Sequence, residues 1–224
     1  MSMSGRRKTG IAILASGSGS TAEAFIHASQ AGIVNAEVGL VIANNADAGV
    51  FSRVARLNKE YGLNIKTVNI SGVTHSKGAG EKGEQTLEES TAICEEINRG
   101  GFGLVLLLGY MKKVRGDLLN EFGALPSHKS IHQARMINTH PGPLPQTKGL
   151  FGVHAQEVVL ETGLGYSAQT LHVVAEDYDS GLIIAEHRVP VLPNDTPESL
   201  FESVQLTEKT YLPIDIDNFL KQRI

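Results

Sequence analysis

Residues 11–30 have the sequence IAILASGSGSTAEAFIHASQ, and this stretch decides the fold. The apolar residues 11–15 predict a buried β-strand, the glycine–serine run 16–20 predicts a turn, and residues 21–30 have the apolar spacing of a helix. A strand that passes through a glycine-rich turn into a helix is typical of a crossover unit in a parallel sheet. The segment therefore predicts an α/β protein.

The rest of the chain repeats this alternation of strand and helix. Asp47 is placed to cap the second helix, and residues 71–84 lack a packing pattern and are predicted to form a loop. The acidic turn 176–181 joins the last two strands and is too short for a parallel crossover, so that pair is antiparallel. The other predicted strands are 38–43, 65–70, 104–108, 136–139, 167–174 and 182–189, and the other helices are 86–99, 154–161 and 196–209, the last extending toward Phe219.

These elements predict a single-domain, Rossmann-like α/β fold. Its sheet is mostly parallel and twisted, with helices on both faces and an antiparallel C-terminal strand pair. Residues 1–9 are expected to be a flexible N-terminal tail, and residues 10–224 are expected to form the domain.

Composition excludes several classes of protein. The 224 residues are 41% hydrophobic and 20% charged, with 20 basic against 24 acidic residues and a net charge of −4. A dedicated nucleic-acid binder would carry a basic excess, and a membrane span would need a longer apolar run than any present. Cys94 is the one cysteine, so neither an intrachain disulfide nor a cysteine zinc cage can form, and no histidine pair has metal-ligand spacing. We expect a cytoplasmic protein without a metal.

The glycine turn predicts an anion site. Residues 17–22 fit the pattern G-x-G-x-x-A, in which backbone N–H groups at a helix start face a phosphate. A dinucleotide site would also need an acid after the next strand, and the nearest, Asp47, is better placed as a cap. A single phosphate on a smaller ligand is therefore favoured. A tight turn whose serines only cap the helix is the alternative.

Asn138 and His140 lie two residues apart on a predicted strand, so their side chains share one face. Pro141 ends the strand, which places both at the carboxyl edge where open α/β sheets bind ligands. An amide can donate to an oxyanion, and an imidazole can exchange a proton near neutral pH. The alternative is that both only bond loop carbonyls. His172 is predicted to be a core or supporting histidine.

Three acids crowd the turn before the last strand: Glu176, Asp177 and Asp179. Such a turn is usually solvated. Its functional interpretation is that one carboxylate turns back to orient His140 and raise its affinity for a proton. Asp179 is the best candidate, since Gly181 permits the turn that would direct it inward.

Several of these segments resemble, in order, the folate-dependent formyltransferases over about residues 10 to 213. The glycine–serine turn is more particular to the phosphoribosylglycinamide formyltransferase branch. The matching segments are residues 16–20, Asn44-x-Ala46-Asp47-Ala48, Gly109-Tyr110-Met111-Lys112, Asn138-x-His140-Pro141, Asp179-x-Gly181 and Val204-Gln205 with Glu208.

The resemblance implies transfer of a formyl group from 10-formyltetrahydrofolate, as co-substrate, to the amine of glycinamide ribonucleotide in de novo purine biosynthesis. It implies that Asn138 binds the formyl oxygen, that His140 stabilises charge and handles protons, and that Asp179 orients His140 and shuttles a proton. It also implies small-molecule substrates. We expect a monomer or homodimer. The remaining implied contacts are Gly19, Ser20 and Thr21 to phosphate, Gln205 and Glu208 to the glycinamide end, and Tyr110, Met111, Lys112, Lys113, Val114, Ala175, Glu176 and Asp177 to folate.

Three positions differ from the usual family pattern. Thr21 stands in place of Asn, Lys112 in place of Arg, and residues 146–152 in place of a Tyr-Pro-Gly segment. Three alternatives stay open: formyl transfer to another amine such as an amino sugar nucleotide, formyltetrahydrofolate hydrolysis, and a non-catalytic phosphate- or folate-binding module. The last would not need Asn138, His140 and Asp179 together.

Overall fold

The computed structural model describes residues 8–75 and 83–223. Of the predicted tail only residues 8 and 9 are described, and Thr9 already belongs to the first strand. The strands are β1 Thr9–Ala15, β2 Ala36–Ala43, β3 Lys66–Asn69, β4 Leu104–Leu107, β5 Met136–His140, β6 Tyr166–Val173 and β7 Ile183–Pro190. The helices are α1 Ser20–Gln30, α2 Gly49–Tyr61, α3 Gly72–His75, α4 Leu87–Gly100, α5 Gly116–Phe122, α6 Val153–Glu161 and α7 Pro197–Lys221, with a 3₁₀ turn at Ile131–Gln133.

The strands form one sheet in the order β3-β2-β1-β4-β5-β6-β7. Strands β1 to β5 are parallel to one another, whereas β6 is antiparallel to both β5 and β7. The predicted fold class is confirmed, including the antiparallel C-terminal pair.

Helices cover both faces of the sheet. Ile13 packs with residues of α1, α2 and α7, and its neighbour Leu14 packs with residues of α4 and α5. Strand β4 lies between these layers, so all four of its residues are buried. A strand buried on both faces is expected to be apolar throughout, which is the composition of residues 104–107.

Two local predictions were wrong. The N-cap of α2 is Ala48 and not Asp47. The Asn45 side chain accepts a hydrogen bond from the backbone N–H of Asp47, so Asp47 belongs to a turn that precedes the helix. The predicted loop 71–84 begins with the short helix α3, and residues 76–82 lie outside the described part. Helix α5 went unpredicted because its seven residues are too few to establish a period.

Helix α7 runs further than its pattern indicates. Thr196 caps it and Pro197 occupies its first turn, as helix starts favour. It continues through Pro213, which removes one backbone hydrogen bond, because Ile216 and Phe219 beyond it are buried in the core. None of the helices in the described residues has both the length and the apolar character needed to cross a membrane.

Candidate functional site

A cavity of about 760 Å³ opens beside the ends of β1, β4 and β5. This volume suits small-molecule ligands. Every residue predicted for the site lines the cavity except Glu176, which is exposed. The sheet therefore brings together segments that are far apart in sequence, from the start of α1 to the middle of α7.

The glycine turn ends at the start of α1. Gly19 is the N-cap in a left-handed conformation, and no side chain caps the helix, so the alternative in which serines cap it is wrong. The first intrahelical bond runs from Glu23 N to Gly19 O at 2.9 Å. The N–H groups of residues 20–22 consequently point out of the helix end, where an anion is favoured by hydrogen bonds and by the helix dipole.

The Thr21 side chain binds a carboxylate. Its hydroxyl donates to Glu208 Oε2 at 3.0 Å, and the Thr139 hydroxyl also bonds Glu208. Burial raises the pKa of the Glu208 carboxyl, and the two hydroxyls oppose part of that shift. Glu208 is therefore held from α1 and β5, and it is one of the residues that line the cavity.

Asn138 contacts two groups of the site. Its side-chain amide donates to His172 Nε2 at 3.0 Å and, more weakly, to Asp179 Oδ1 at 3.4 Å. The orientation is consistent, because His172 Nδ1 donates to the Val173 carbonyl and so leaves Nε2 of the neutral ring as an acceptor. His172, which the sequence suggested only as a core or supporting residue, thus lies in the cavity wall beside the predicted catalytic groups.

His140 and Asp179 form a buried pair. His140 Nδ1 lies 3.3 Å from Asp179 Oδ2, and the Gly149 N–H donates to the same oxygen at 2.9 Å. Burial lowers the pKa of the His140 imidazole, although the Asp179 carboxylate opposes that shift. Burial would raise the pKa of the Asp179 carboxyl, but the His172 and His140 rings and the Gly149 N–H outweigh it and hold that pKa below its ordinary value. A neutral imidazole therefore faces an ionised carboxylate near neutral pH.

The turn that directs Asp179 inward differs from the predicted one. The left-handed backbone conformation falls on Asp179 itself, with φ 46°, and not on Gly181. Gly181 is required for a different reason: a Cβ there would lie 1.7 Å from the Val173 carbonyl oxygen. The glycine lets the loop pack directly on the end of β6, and this packing holds Asp179 against His140.

Gly181→Ala is therefore expected to lower the free energy of unfolding by about 1–3 kcal/mol, the usual cost of an overpacked site. Chemical denaturation monitored by circular dichroism measures the change. Gly165→Ala, before β6, is the matched control, because a Cβ there has nothing within 4 Å. Equal stability of both variants would show that the loop adapts without cost.

The predicted folate segment, residues 110–114, forms one wall of the cavity. Met111 N donates to Ser16 Oγ at 2.9 Å, which ties this wall to the glycine turn. Lys112 Nζ lies 2.5 Å from the buried Glu89 carboxylate, so its charge is compensated within the protein. The described residues contain no group of three His, Cys, Asp or Glu side chains placed to hold a metal ion, and the predicted absence of a metal stays a prediction.

Thr139, Thr147 and Gly149 are site residues that sequence reasoning missed. Thr139 lies between Asn138 and His140, so the strand period places it on the opposite face, where Glu208 contacts it. Thr147 and Gly149 come from an irregular loop whose contacts no local pattern predicts. For His172 the signal was its place on a strand that pairs with β5, where it lies directly opposite Asn138.

The chain matches known proteins over almost its whole length. Residues 9–216 match the family model described as formyl transferase. The chain is 31% identical over 212 residues to the chloroplastic phosphoribosylglycinamide formyltransferase of Arabidopsis thaliana, covering 94% of this chain and 64% of that protein. It is 31% identical over 208 residues to the human trifunctional purine biosynthetic protein adenosine-3, covering 93% of this chain and 18% of that protein. It thus spans less than two thirds of either relative.

Solved structures have the same fold. Glycinamide ribonucleotide transformylase 1 from Symbiobacterium toebii superposes with a TM-score of 0.81 at 29% identity, covering 98% of this chain and 94% of that one. Phosphoribosylglycinamide formyltransferase from Bacillus halodurans superposes with a TM-score of 0.79 at 28% identity, covering 96% and 97%. The family match, the fold and the cavity agree, and the chain belongs to the formyl transferase family.

Proposed function

We propose that this protein transfers the formyl group of 10-formyltetrahydrofolate to the amine of glycinamide ribonucleotide, a step of de novo purine biosynthesis. The names of its relatives support the substrates. The observation that carries the proposal is that Asn138, the His140–Asp179 pair and an anion-binding helix end line one cavity. That set supports acyl transfer between a phosphate-bearing amine and a second ligand.

The reaction needs a proton to move between two nitrogens. The neutral amine attacks the formyl carbon, a C–N bond forms, and the formyl oxygen becomes an oxyanion. The proton on the former amine must leave, and the folate nitrogen must gain a proton as its bond to the formyl carbon breaks. Asp179 is ionised and accepts the first proton, directly or through a water. The His140–Asp179 pair then holds that proton, with the imidazolium form stabilising the oxyanion, and returns it through a water to the folate nitrogen.

Asn138 supplies a hydrogen bond to the oxyanion in this proposal. Its amide has two N–H groups, one in a 3.0 Å bond to His172 and one in a 3.4 Å contact with Asp179. The longer contact is weak, so that N–H is the one available to the formyl oxygen. The bond to His172 meanwhile keeps the amide in place, and such preorganised donors lower the barrier to acyl transfer.

The two substrates approach different walls. The N–H groups of residues 20–22 bind the ribonucleotide phosphate, while Gln205 and Glu208 contact the glycinamide end. Folate lies along residues 110–114 and against Ala175 and Asp177, whereas Glu176 does not line the cavity. Since Lys112 is paired with Glu89, backbone groups and the body of the segment contribute more to folate binding than the Lys112 charge does.

Thr21→Val is expected to raise KM for glycinamide ribonucleotide about tenfold, because a hydrogen bond to a charged group is worth about 1.5 kcal/mol. The variant keeps the backbone N–H that faces the phosphate but removes the hydroxyl that holds Glu208. KM for the folate should not change, and Thr21→Ser should behave as wild type. Steady-state kinetics with each substrate varied in turn measures both constants, and a parallel rise in both would contradict a role specific to the acceptor.

A spectrophotometric assay tests the proposed reaction. Purified protein is mixed with 10-formyltetrahydrofolate or its dideaza analogue, with and without glycinamide ribonucleotide. Turnover only with the ribonucleotide supports both substrates together. Turnover without any amine would favour formyltetrahydrofolate hydrolysis.

Folate binding without turnover would direct the search to other amines, such as amino sugar nucleotides. Absence of both binding and turnover would leave a phosphate-binding module. The cytoplasmic location and the monomeric or homodimeric state stay predictions.

A further inference from the structure

His140 is 2% exposed, and both of its ring nitrogens have partners. Nδ1 faces Asp179 Oδ2 at 3.3 Å, and Nε2 lies 2.9 Å from the hydroxyl oxygen of Thr147. Thr147 is itself 0% exposed. A proton that arrives on His140 during the reaction must therefore be accommodated without help from bulk water at Nε2.

Thr147 has two hydrogen-bond partners for one hydrogen. Its hydroxyl oxygen is 2.9 Å from His140 Nε2 and 2.9 Å from the carbonyl oxygen of Pro143. A carbonyl only accepts, whereas a ring nitrogen accepts when bare and donates when protonated. The hydroxyl can therefore donate to Nε2, or it can accept from Nε2–H and donate to Pro143.

These two arrangements match the two protonation states of His140. In the neutral ring the hydrogen sits on Nδ1 and faces Asp179, and Thr147 donates to the bare Nε2. In the imidazolium both nitrogens donate, so the Thr147 hydroxyl rotates toward Pro143 and accepts from Nε2–H. The hydrogen-bond count at Nε2 is conserved when the ring takes up its proton.

We propose that Thr147 is a positioning residue whose rotating hydroxyl allows the buried His140 to gain and lose a proton. The Thr147 hydroxyl stabilises the imidazolium more than the neutral ring, because a hydrogen bond from an imidazolium is stronger than one to a neutral ring. The other titratable groups that face the ring are Asp179, whose charge favours the imidazolium, and His172, which would oppose it only when itself protonated. Only the consequence for turnover rests on the proposed formyl transfer.

The test is an NMR titration of the substrate-free protein with ¹⁵N-labelled histidine, in which the His140 signal is assigned by its loss in His140→Gln. Thr147→Val keeps the shape but removes the hydroxyl. We expect it to weaken the proton affinity of His140 about tenfold, that is, to lower its pKa by about one unit, since charged hydrogen bonds are roughly twice as strong as neutral ones. Thr147→Ser should restore the wild-type value.

Thr170→Val is the matched control. Thr170 is equally buried and its hydroxyl donates to the carbonyl oxygen of Gly142 in the same loop at 2.7 Å, but that hydroxyl makes no hydrogen bond to His140. The pKa of His140 in Thr170→Val should equal the pKa of His140 in the wild-type protein. An unchanged pKa in Thr147→Val, or an equal fall in Thr170→Val, would overturn the proposal.

Wild-type protein alone supplies a second test, should Thr147→Val fail to fold. Above the pKa of His140, the ¹⁵N shifts should identify the Nδ1–H form of the neutral ring. A neutral Nε2–H form would contradict the proposed rotation. Because these measurements need no substrate, they stand even if the formyl-transfer assay fails. If that assay succeeds, kcat of Thr147→Val should lie below that of Thr147→Ser, because the imidazolium that forms during the reaction loses a hydrogen bond.

Discussion

Asp179→Asn is expected to lower kcat by roughly 10²–10⁴-fold, the usual contribution of a positioned acid–base group. Asparagine keeps the shape of the side chain but cannot accept the proton of the attacking amine. It also removes the negative charge 3.3 Å from His140 Nδ1, so an imidazolium there loses its partner. Both losses act during the reaction, so KM for the two substrates should change little.

The pH profile separates this role from a structural one. The pKa of the Asp179 carboxyl lies below its ordinary value, so wild-type kcat should fall only when the pH drops below that range. The residual activity of Asp179→Asn should lack this acid limb. Glu176→Gln removes an exposed carboxylate from the same loop and should stay within about twofold of wild type, since surface changes of this kind have small effects. If Asp179→Asn turned over normally at every pH, the proton-accepting role would move to Asp177.

His140→Ala is expected to lose a comparable 10²–10⁴-fold in kcat, because the imidazole that stabilises charge and carries a proton is gone. Folate binding should persist, since His140 is 2% exposed and contributes little surface to the cavity. Rapid-quench kinetics measures kcat, and calorimetry with the dideaza folate analogue measures Kd. His140→Gln fills more of the vacated volume and should be impaired to a similar extent.

His154→Ala is the control for loss of a histidine. His154 lies on α6 with an exposed side chain and pairs with Glu157, and it does not line the cavity. Its kcat should match that of wild type. Equal turnover by His140→Ala and wild type would show that the ring takes no part in the reaction, whereas loss of folate binding in both His140 variants would assign it to binding.

The sheet could be predicted from the sequence because its signals are local. Residues 104–107 are apolar throughout, and the structure places them between two helical layers. Helix α5 and the end of α7 could not be predicted in the same way. Helix α5 is too short to establish a period. Helix α7 continues through Pro213, because burial of the residues beyond the proline stabilises the helix more than the lost hydrogen bond destabilises it.

The residues of the site show the same distinction between local signals, which can be predicted, and contacts between distant segments, which cannot. Asn138 and His140 were found because strand period and strand end are local properties, and Asp179 was found because it stands in a short acidic turn. The bonds from Thr21 to Glu208 and from His140 to Thr147 could not be predicted. Glu208 comes from a helix 187 positions away, and Thr147 comes from an irregular loop. Partner choice there depends on packing, which a single sequence does not encode in any short pattern.

Strand β5 sends alternate side chains to opposite faces of the sheet. Asn138 and His140 follow Met136 toward α4 and α5, and Thr139 follows Ile137 toward α1 and α7, where it meets Glu208. In the proposed reaction, the groups that transfer protons and the groups that recognise the acceptor therefore lie on opposite faces of β5. Substitutions around Thr139 and Glu208 could shift the protein toward a different amine while the groups on the other face stay intact. Acceptor preference could therefore diverge during evolution without rebuilding the chemistry.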